Sequence, residues 1–199
     1  MRRVVLATGN PGKLMEMRAI LAGRELEVVA QADLGISPPV EDGDSFVANA
    51  LLKARHASAI AKLPAIADDS GIEVDALGGR PGIHAARYAG PNASERANNA
   101  RLLAELAGVP PEMRSARYRC AMVFLREAGD PAPVIAETFW EGRIGLAPRG
   151  TGGFGYDPLF IVEGGLITAA EMPVEEKNRV SHRGRALTAL AARMREAGW

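Results

Sequence analysis

One thiol, no net charge and no long apolar run describe this chain first by what they rule out. Cys120 is the sole cysteine among 199 residues, so no intramolecular disulfide can form, and the count suits a reducing compartment. It lies in an extended apolar pattern and reads as a small core residue. Lys and Arg together number 24, as do Asp and Glu, so the formal net charge is zero. That balance argues against nucleic acid or another bulk polyanion as the main partner, and any anion site has to be local. No apolar stretch is long enough to span a bilayer. Met1-Arg2-Arg3 leads into only Val4-Val5-Leu6-Ala7 before the polar Thr8, which is not a signal-peptide pattern. Repeats and low-complexity tracts are also missing. A soluble, cytoplasmic protein is expected. With 47% hydrophobic residues the chain can bury a real core, and a single domain over residues 1–199 is expected.

What the chain does have is concentrated in a few stretches. Ala65-Ile66-Ala67 runs into Asp68-Asp69-Ser70-Gly71 and then Ile72-Glu73-Val74. The pattern predicts a short buried strand that stops at a polar tip and then resumes extended structure. Two neighbouring anions repel unless a positive charge sits beside them, and hard oxygen ligands suit Mg²⁺. The alternative is that Asp68, Asp69 and Ser70 are turn formers bonded to local backbone.

Upstream, Arg3 to Ala7 is a β-rich run that breaks at Thr8-Gly9-Asn10-Pro11-Gly12-Lys13. Asn10 is placed to cap a helix with Pro11 in its first position. Leu14, Met17 and Leu21 follow at helical spacing, and Gly23 is a helix stop. A strand, a glycine-bearing turn and a helix N-terminus beside Lys13 make a ready phosphate site, although the Walker A spacing is absent. Leu26 to Ala30 is a candidate strand. Asp44 or Ser45 can start a helix through about Lys62, with Phe46, Ala50, Ala54, Ala57 and Ala61 on one face. Lys53 and Arg55 read as solvated and His56 as structural. Glu41, just before this helix, either complements its dipole or delivers a metal ligand toward Asp69.

Further on, Ser94 caps a helix predicted through Ala107, and Arg117 to Leu125 and Val134 to Ile144 read as antiparallel partners. With the early strand–helix units this predicts a mixed sheet in an α/β fold. Gly150, Gly152 and Gly155 formally satisfy the dinucleotide fingerprint, but Pro158 and the strand-like Leu159 to Val162 follow where a helix is required. Their use is instead close backbone approach, with Phe154 presented for stacking on a flat base. Near the C-terminus, Lys177, His182 and Arg183 gather around a helix that Ser181 can cap, where an acceptor-rich ligand would relieve the local positive charge.

Taken together, Thr8 to Lys13, Ala67 to Gly71, Gly79 to Tyr88, Gly150 to Pro158 and Ser181-His182-Arg183-Gly184 resemble the motifs of the inosine/xanthosine triphosphate pyrophosphatases, in that family's order and spacing. Ala85 departs from the serine expected before Ala-Arg-Tyr. The resemblance implies an elongated, two-lobed α/β fold around a long mixed sheet, with the nucleotide in a cleft between lobes. It implies Mg²⁺-dependent hydrolysis of dITP, ITP and XTP to the monophosphate and pyrophosphate, in a homodimer. By motif position, Thr8, Gly9, Asn10, Pro11, Gly12 and Lys13 would hold phosphate, Asp69 would be the catalytic carboxylate and Ser70 would touch substrate. Phe154, Gly155, Tyr156, Asp157, Lys177, His182 and Arg183 would bind the nucleotide, mostly at its base end. Asp69 and Glu41 would be the metal ligands. Two rivals stay open: the related dTTP/UTP pyrophosphatases, and a non-catalytic nucleotide-binding regulator.

Overall fold

The computed structural model describes residues 2–22 and 26–199; Gly23, the expected stop of the first helix, lies outside them. The chain divides into two compact units, Met1–Asp69 with Cys120–Thr138 and Arg183–Trp199, and Ser70–Arg119 with Phe139–His182.

The first unit opens with β1 (Arg2–Leu6), α1 (Pro11–Leu21) and β2 (Leu26–Ala30). The α1 start is local chemistry: Asn10 Oδ1 accepts the Lys13 N–H at 3.1 Å, and Pro11 at the first helical position gives up an N–H that no helix would use. β2 pairs parallel to β1 from Arg2↔Leu26 to Leu6↔Ala30. Then comes α2 (Phe46–Ala61), capped by Ser45, whose Oγ accepts from Ala48 N at 3.2 Å. The next strand, β3 (Ala65–Val74), pairs parallel to β1 on its other side. The helix α3 (Glu95–Glu105) precedes β4 (Ser115–Leu125), β5 (Val134–Ile144) and β6 (Phe160–Val162), after which come α4 (Val174–Val180) and the C-terminal α5 (His182–Glu196). The strand order is β2-β1-β3-β4-β5-β6. Because β6 runs antiparallel to β5, the sheet is mixed, as the sequence predicts.

Alternation along the strands sorts the first unit's core into two layers. Val4, Leu6, Ile66, Cys120, Met122 and Phe124 pack with Met17 and Leu21 of α1 and with Leu187, Leu190 and Met194 of α5. Val5, Ala7, Ala65, Ala67 and Val123 face the other way, onto Ala50, Ala54 and Ala57 of α2. Alanine on both sides of that contact lets the helix backbone approach the strands closely. In the second unit, Ile72, Val74, Leu102, Tyr118, Trp140 and Phe160 form a separate core.

Three expectations are corrected. β3 does not stop at Asp68: it runs unbroken for ten residues through Asp68-Asp69-Ser70-Gly71. No turn is needed, because period-two alternation already sends the two carboxylates to opposite faces. α3 ends at Glu105, two residues early, where Ala107 N turns back to Ala104 O in a tighter final turn. Lys53 is 6% exposed and not solvated. By contrast, Cys120 is buried in the core as expected, where burial first and the Asp68 charge second push its thiol up to about 12.

The alanine layer makes a stability test. Ala54→Leu inserts a larger side chain where Ala54 is fully buried and should cost about 1–3 kcal/mol in denaturant unfolding, whereas Ile60→Leu on the exposed face should change little. An unchanged midpoint for Ala54→Leu would contradict this packing.

Candidate active site

Asp68 and Asp69 are the centre of the first unit's polar interior. Asp68 points to the α1/α5 layer, where its Oδ2 meets Lys13 Nζ at 3.0 Å and Arg183 Nε at 3.3 Å. Arg183 in turn holds Glu16 Oε2 through Nη1 at 2.5 Å. Burial alone would raise the Asp68 carboxyl, but Lys13, Arg183 and then Lys53 outweigh it and hold it well below the usual carboxylate range. The other Asp68 oxygen is buried without a hydrogen-bond partner among the described residues.

Asp69 points to the α2 layer. Its Oδ1 accepts from Lys53 Nζ at 3.0 Å and its Oδ2 from Asn49 Nδ2 at 3.2 Å. Lys53 also bonds Glu41 Oε2 at 3.2 Å. Burial works to lower the Lys53 ammonium, yet Asp69, Asp68 and Glu41 prevail and raise it above its ordinary value, so it stays charged. Glu41 rides on a loop fastened to α2 by Asn49, whose Oδ1 accepts the Gly43 N–H at 2.9 Å. Any side chain at position 43 would meet that oxygen at 2.6 Å, so the fastening requires glycine.

The Thr8 to Lys13 stretch forms the turn into α1. Thr8 Oγ1 accepts from Asn10 N at 3.2 Å, Asn10 caps the helix, and the Lys13 side chain is 13% exposed. A helix N-terminus and the Lys13 ammonium thus stand beside Asp68, a suitable arrangement for phosphate oxygens. Among the described residues no three or more His, Cys, Asp or Glu side chains gather as a metal cage. Glu41 and Asp69, two carboxylates on one shared cation, are a donor set that fits Mg²⁺, which commonly takes one or two carboxylates and completes its shell with water and substrate phosphates.

A second polar cluster is built around Asp157 in the other unit. Its carboxylate accepts from Tyr118 Oη at 3.0 Å, from Phe154 N at 2.9 Å and from Lys177 Nζ at 2.5 Å. Three donors on one buried carboxylate fix the glycine-rich loop. A Cβ on Gly153, which has a φ of +68°, would lie 2.0 Å from Asp157 Oδ2. The glycines therefore let this loop close on the protein's own carboxylate. Lys177 Nζ sits 5.0 Å from the centre of the Phe154 ring, a cation–π contact. His182 stacks on Tyr118 with ring centres 4.5 Å apart and planes 5° from parallel. Tyr156 is buried and donates from its hydroxyl to the Ala85 carbonyl at 2.8 Å. The backbone of residue 85 supplies this acceptor, whatever its side chain. A cavity of about 440 Å³ opens between α3 and the loop, lined by residues that include Asn99, Leu103 and Phe154.

The structure thus groups Lys13, Glu41 and Asp69 with the first unit, and Phe154, Asp157, Lys177 and His182 with the second. Arg183, expected at the base end, has donors on Asp68 and Glu16 and is 2% exposed. Ser70 follows Asp69 in β3, half-buried, and Gly155 holds Asn99 Nδ2 through its carbonyl at 3.0 Å.

The Ham1 family profile matches residues 4–193. The chain belongs to the Ham1 family. It is 57% identical over 194 residues to a dITP/XTP pyrophosphatase of Methylococcus capsulatus, covering 98% of this chain and 96% of that one. To the dITP/XTP pyrophosphatase of Escherichia coli it is 50% identical over 195 residues, covering 98% and 99%. Among solved structures, a HAM1 protein from Coxiella burnetii superposes with a TM-score of 0.90 at 42% identity, covering 98% of this chain and all of that one.

Within this Ham1 chain, four site residues escape a reading of the sequence. Lys53 had a visible signal: it stands seven residues after Phe46 and three after Ala50, on the apolar face of α2, where a solvated lysine does not belong. Asn49 precedes it by one turn. Glu16 lies one turn past Lys13 on α1. Tyr118 shares the inward face of β4 with Ala116 and Cys120, and nothing local marks its hydroxyl as a partner of Asp157.

Asp68 carries a pH signature. Its folded pKa lies below the unfolded value near 3.9, so its stabilisation is complete above that value and is lost as pH falls through the folded one. Asp68→Asn leaves Lys13 and Arg183 undercompensated and should cost about 3–5 kcal/mol at neutral pH. In urea unfolding across acid pH, the gap to wild type should narrow below about pH 4. A gap that is constant with pH would refute the ionised pair.

Proposed function

We propose that the chain hydrolyses non-canonical purine nucleoside triphosphates (dITP, ITP and XTP) to the monophosphate and pyrophosphate, with Mg²⁺, and so removes them from the nucleotide pool. The observation that carries this reading is the setting of Asp69: a carboxylate fixed by Lys53 and Asn49 beside Glu41, in a unit whose α1 turn presents Lys13. Membership of the Ham1 family and the printed activities of its similar relatives support the choice of reaction and substrate.

Each residue then has a part. The α1 turn from Thr8 to Lys13 binds the phosphates, and the Lys13 ammonium offsets charge on the leaving pyrophosphate. Asp69 takes a proton from a water held in line with the α–β bridging oxygen. Glu41 and Asp69 hold Mg²⁺, which when bound draws charge from the phosphate oxygens. Asp68 and Glu16 keep Arg183 and Lys13 in place. In the second unit, Phe154 stacks on the base, with Lys177 against the ring and Asp157 as their shared anchor. His182, with its ring plane set by Tyr118, donates toward a keto oxygen at purine C6, which adenine replaces by an amino donor. Residues 1–199 act as one functional domain. Assembly as a homodimer and action in the cytoplasm belong to the same reading. No helix among the described residues is long and apolar enough to cross a membrane.

A nucleotide panel tests the reaction. ITP, dITP and XTP should give monophosphate and pyrophosphate far faster than ATP, GTP, dTTP or UTP, and Asp69→Asn should lower kcat by about 10²-fold or more. Preference for dTTP or UTP would move the chain to the pyrimidine-type pyrophosphatases. Binding without turnover would make it a regulator.

Base reading has its own test. His182→Ala should narrow the ITP/ATP ratio of kcat/KM, because it removes a donor that meets only the keto base. Phe154→Ala should weaken both substrates and leave the ratio nearly unchanged. The reverse pattern would mean that base reading has been assigned to the wrong residues.

A further inference from the structure

Lys53 places a full positive charge on the two carboxylates that the proposed function gives to a metal ion. The ammonium is within 3.2 Å of both Asp69 Oδ1 and Glu41 Oε2. It reaches them from the apolar face of α2, and the residue is 6% exposed. Burying an unpaired ammonium there would be costly, and leaving Asp69 and Glu41 together without a cation would be costly too. A divalent ion at about 2.1 Å from the same two oxygens would lie close to an ammonium at hydrogen-bond distance from them, and the two positive charges repel.

We propose that Lys53 is a placeholder cation, occupying the carboxylate pair in the metal-free chain and leaving it when a divalent ion arrives. The proposal rests on the reading of Glu41 and Asp69 as metal ligands. Exchange keeps a cation on the pair at every stage: one positive charge without metal, two with it. The displaced ammonium sits on a flexible four-carbon stem and swings out as a free cation beside the incoming phosphates. The site thereby gains a phosphate-binding charge only once a metal is present. Asn49 keeps its hold on Asp69 and on Gly43 throughout, so the carboxylates stay positioned while the cation changes. Lys53 is in this sense a positioning residue before metal arrives and a phosphate ligand afterwards.

The test needs no turnover. In chelator-treated protein without nucleotide, Lys53→Met should melt below wild type, since its carboxylates are uncompensated. Its melting temperature should respond to Mg²⁺ at concentrations at least about tenfold lower than wild type requires, because no ammonium has to be displaced. In Lys53→Ala, propylammonium should restore metal-free melting, and added Mg²⁺ should remove its effect. If a variant does not fold, wild type answers alone: acylation of Lys53, followed by peptide mapping, should be slow in chelator and faster in Mg²⁺. Equal or weaker Mg²⁺ response in Lys53→Met overturns the proposal, as does Lys53 acylation indifferent to Mg²⁺. A failed nucleotide panel would touch neither readout, so loss of the proposed activity and loss of this exchange remain separate results.

Discussion

Side chains alternate along a strand, and here that alternation falls between two adjacent aspartates. Because β3 stays extended through Asp68 and Asp69, one carboxylate enters the layer of α1 and α5 and the other enters the layer of α2. Each then needs its own cation. Lys13 and Arg183 answer Asp68, and Lys53 answers Asp69. A one-residue slip in β3 would exchange the two faces and leave every one of these partners mismatched. The helices are held to the strand by charge as well as by apolar packing, which fixes where each side chain stands.

This arrangement divides labour between neighbours. Asp68 binds Lys13 and Arg183 through one oxygen and so ties the α1 turn to the start of α5. Asp69 keeps its setting through an amide and a flexible lysine, beside the half-exposed Glu41. A carboxylate that must exchange protons or accept a metal needs such replaceable partners, whereas one that positions others does not. Asp157 repeats the first pattern in the second unit: three donors converge on its buried carboxylate and hold Phe154 and Lys177 beside each other.

Much of the fold was readable because its signals are local. Asn10-Pro11 and Ser45 announce helix starts, and the parallel β1–β2 pairing follows from a strand–helix–strand order. The motif order also pointed to the family. What could not be read was the outcome of tertiary pairing. The polar tip at Asp68-Asp69 looked like a strand end because carboxylates inside a sheet are tolerable only when distant residues compensate them. Lys13 lies early in the chain, Lys53 next, and Arg183 near the C-terminus. Lys53 looked solvated for the same reason, although its place on an alanine face told otherwise. Nothing local separates Arg183 from His182 in the basic stretch. Yet at the start of α5 these adjacent residues part, Arg183 into its carboxylates and His182 onto Tyr118.

The central claim is that the Asp69 face activates a water for attack at the α-phosphorus. Hydrolysis of ITP in oxygen-18 water, with mass spectrometry of both products, tests it most directly. Label confined to the inosine monophosphate is the expected result. Label in the pyrophosphate would place the attack at the β-phosphorus and contradict it.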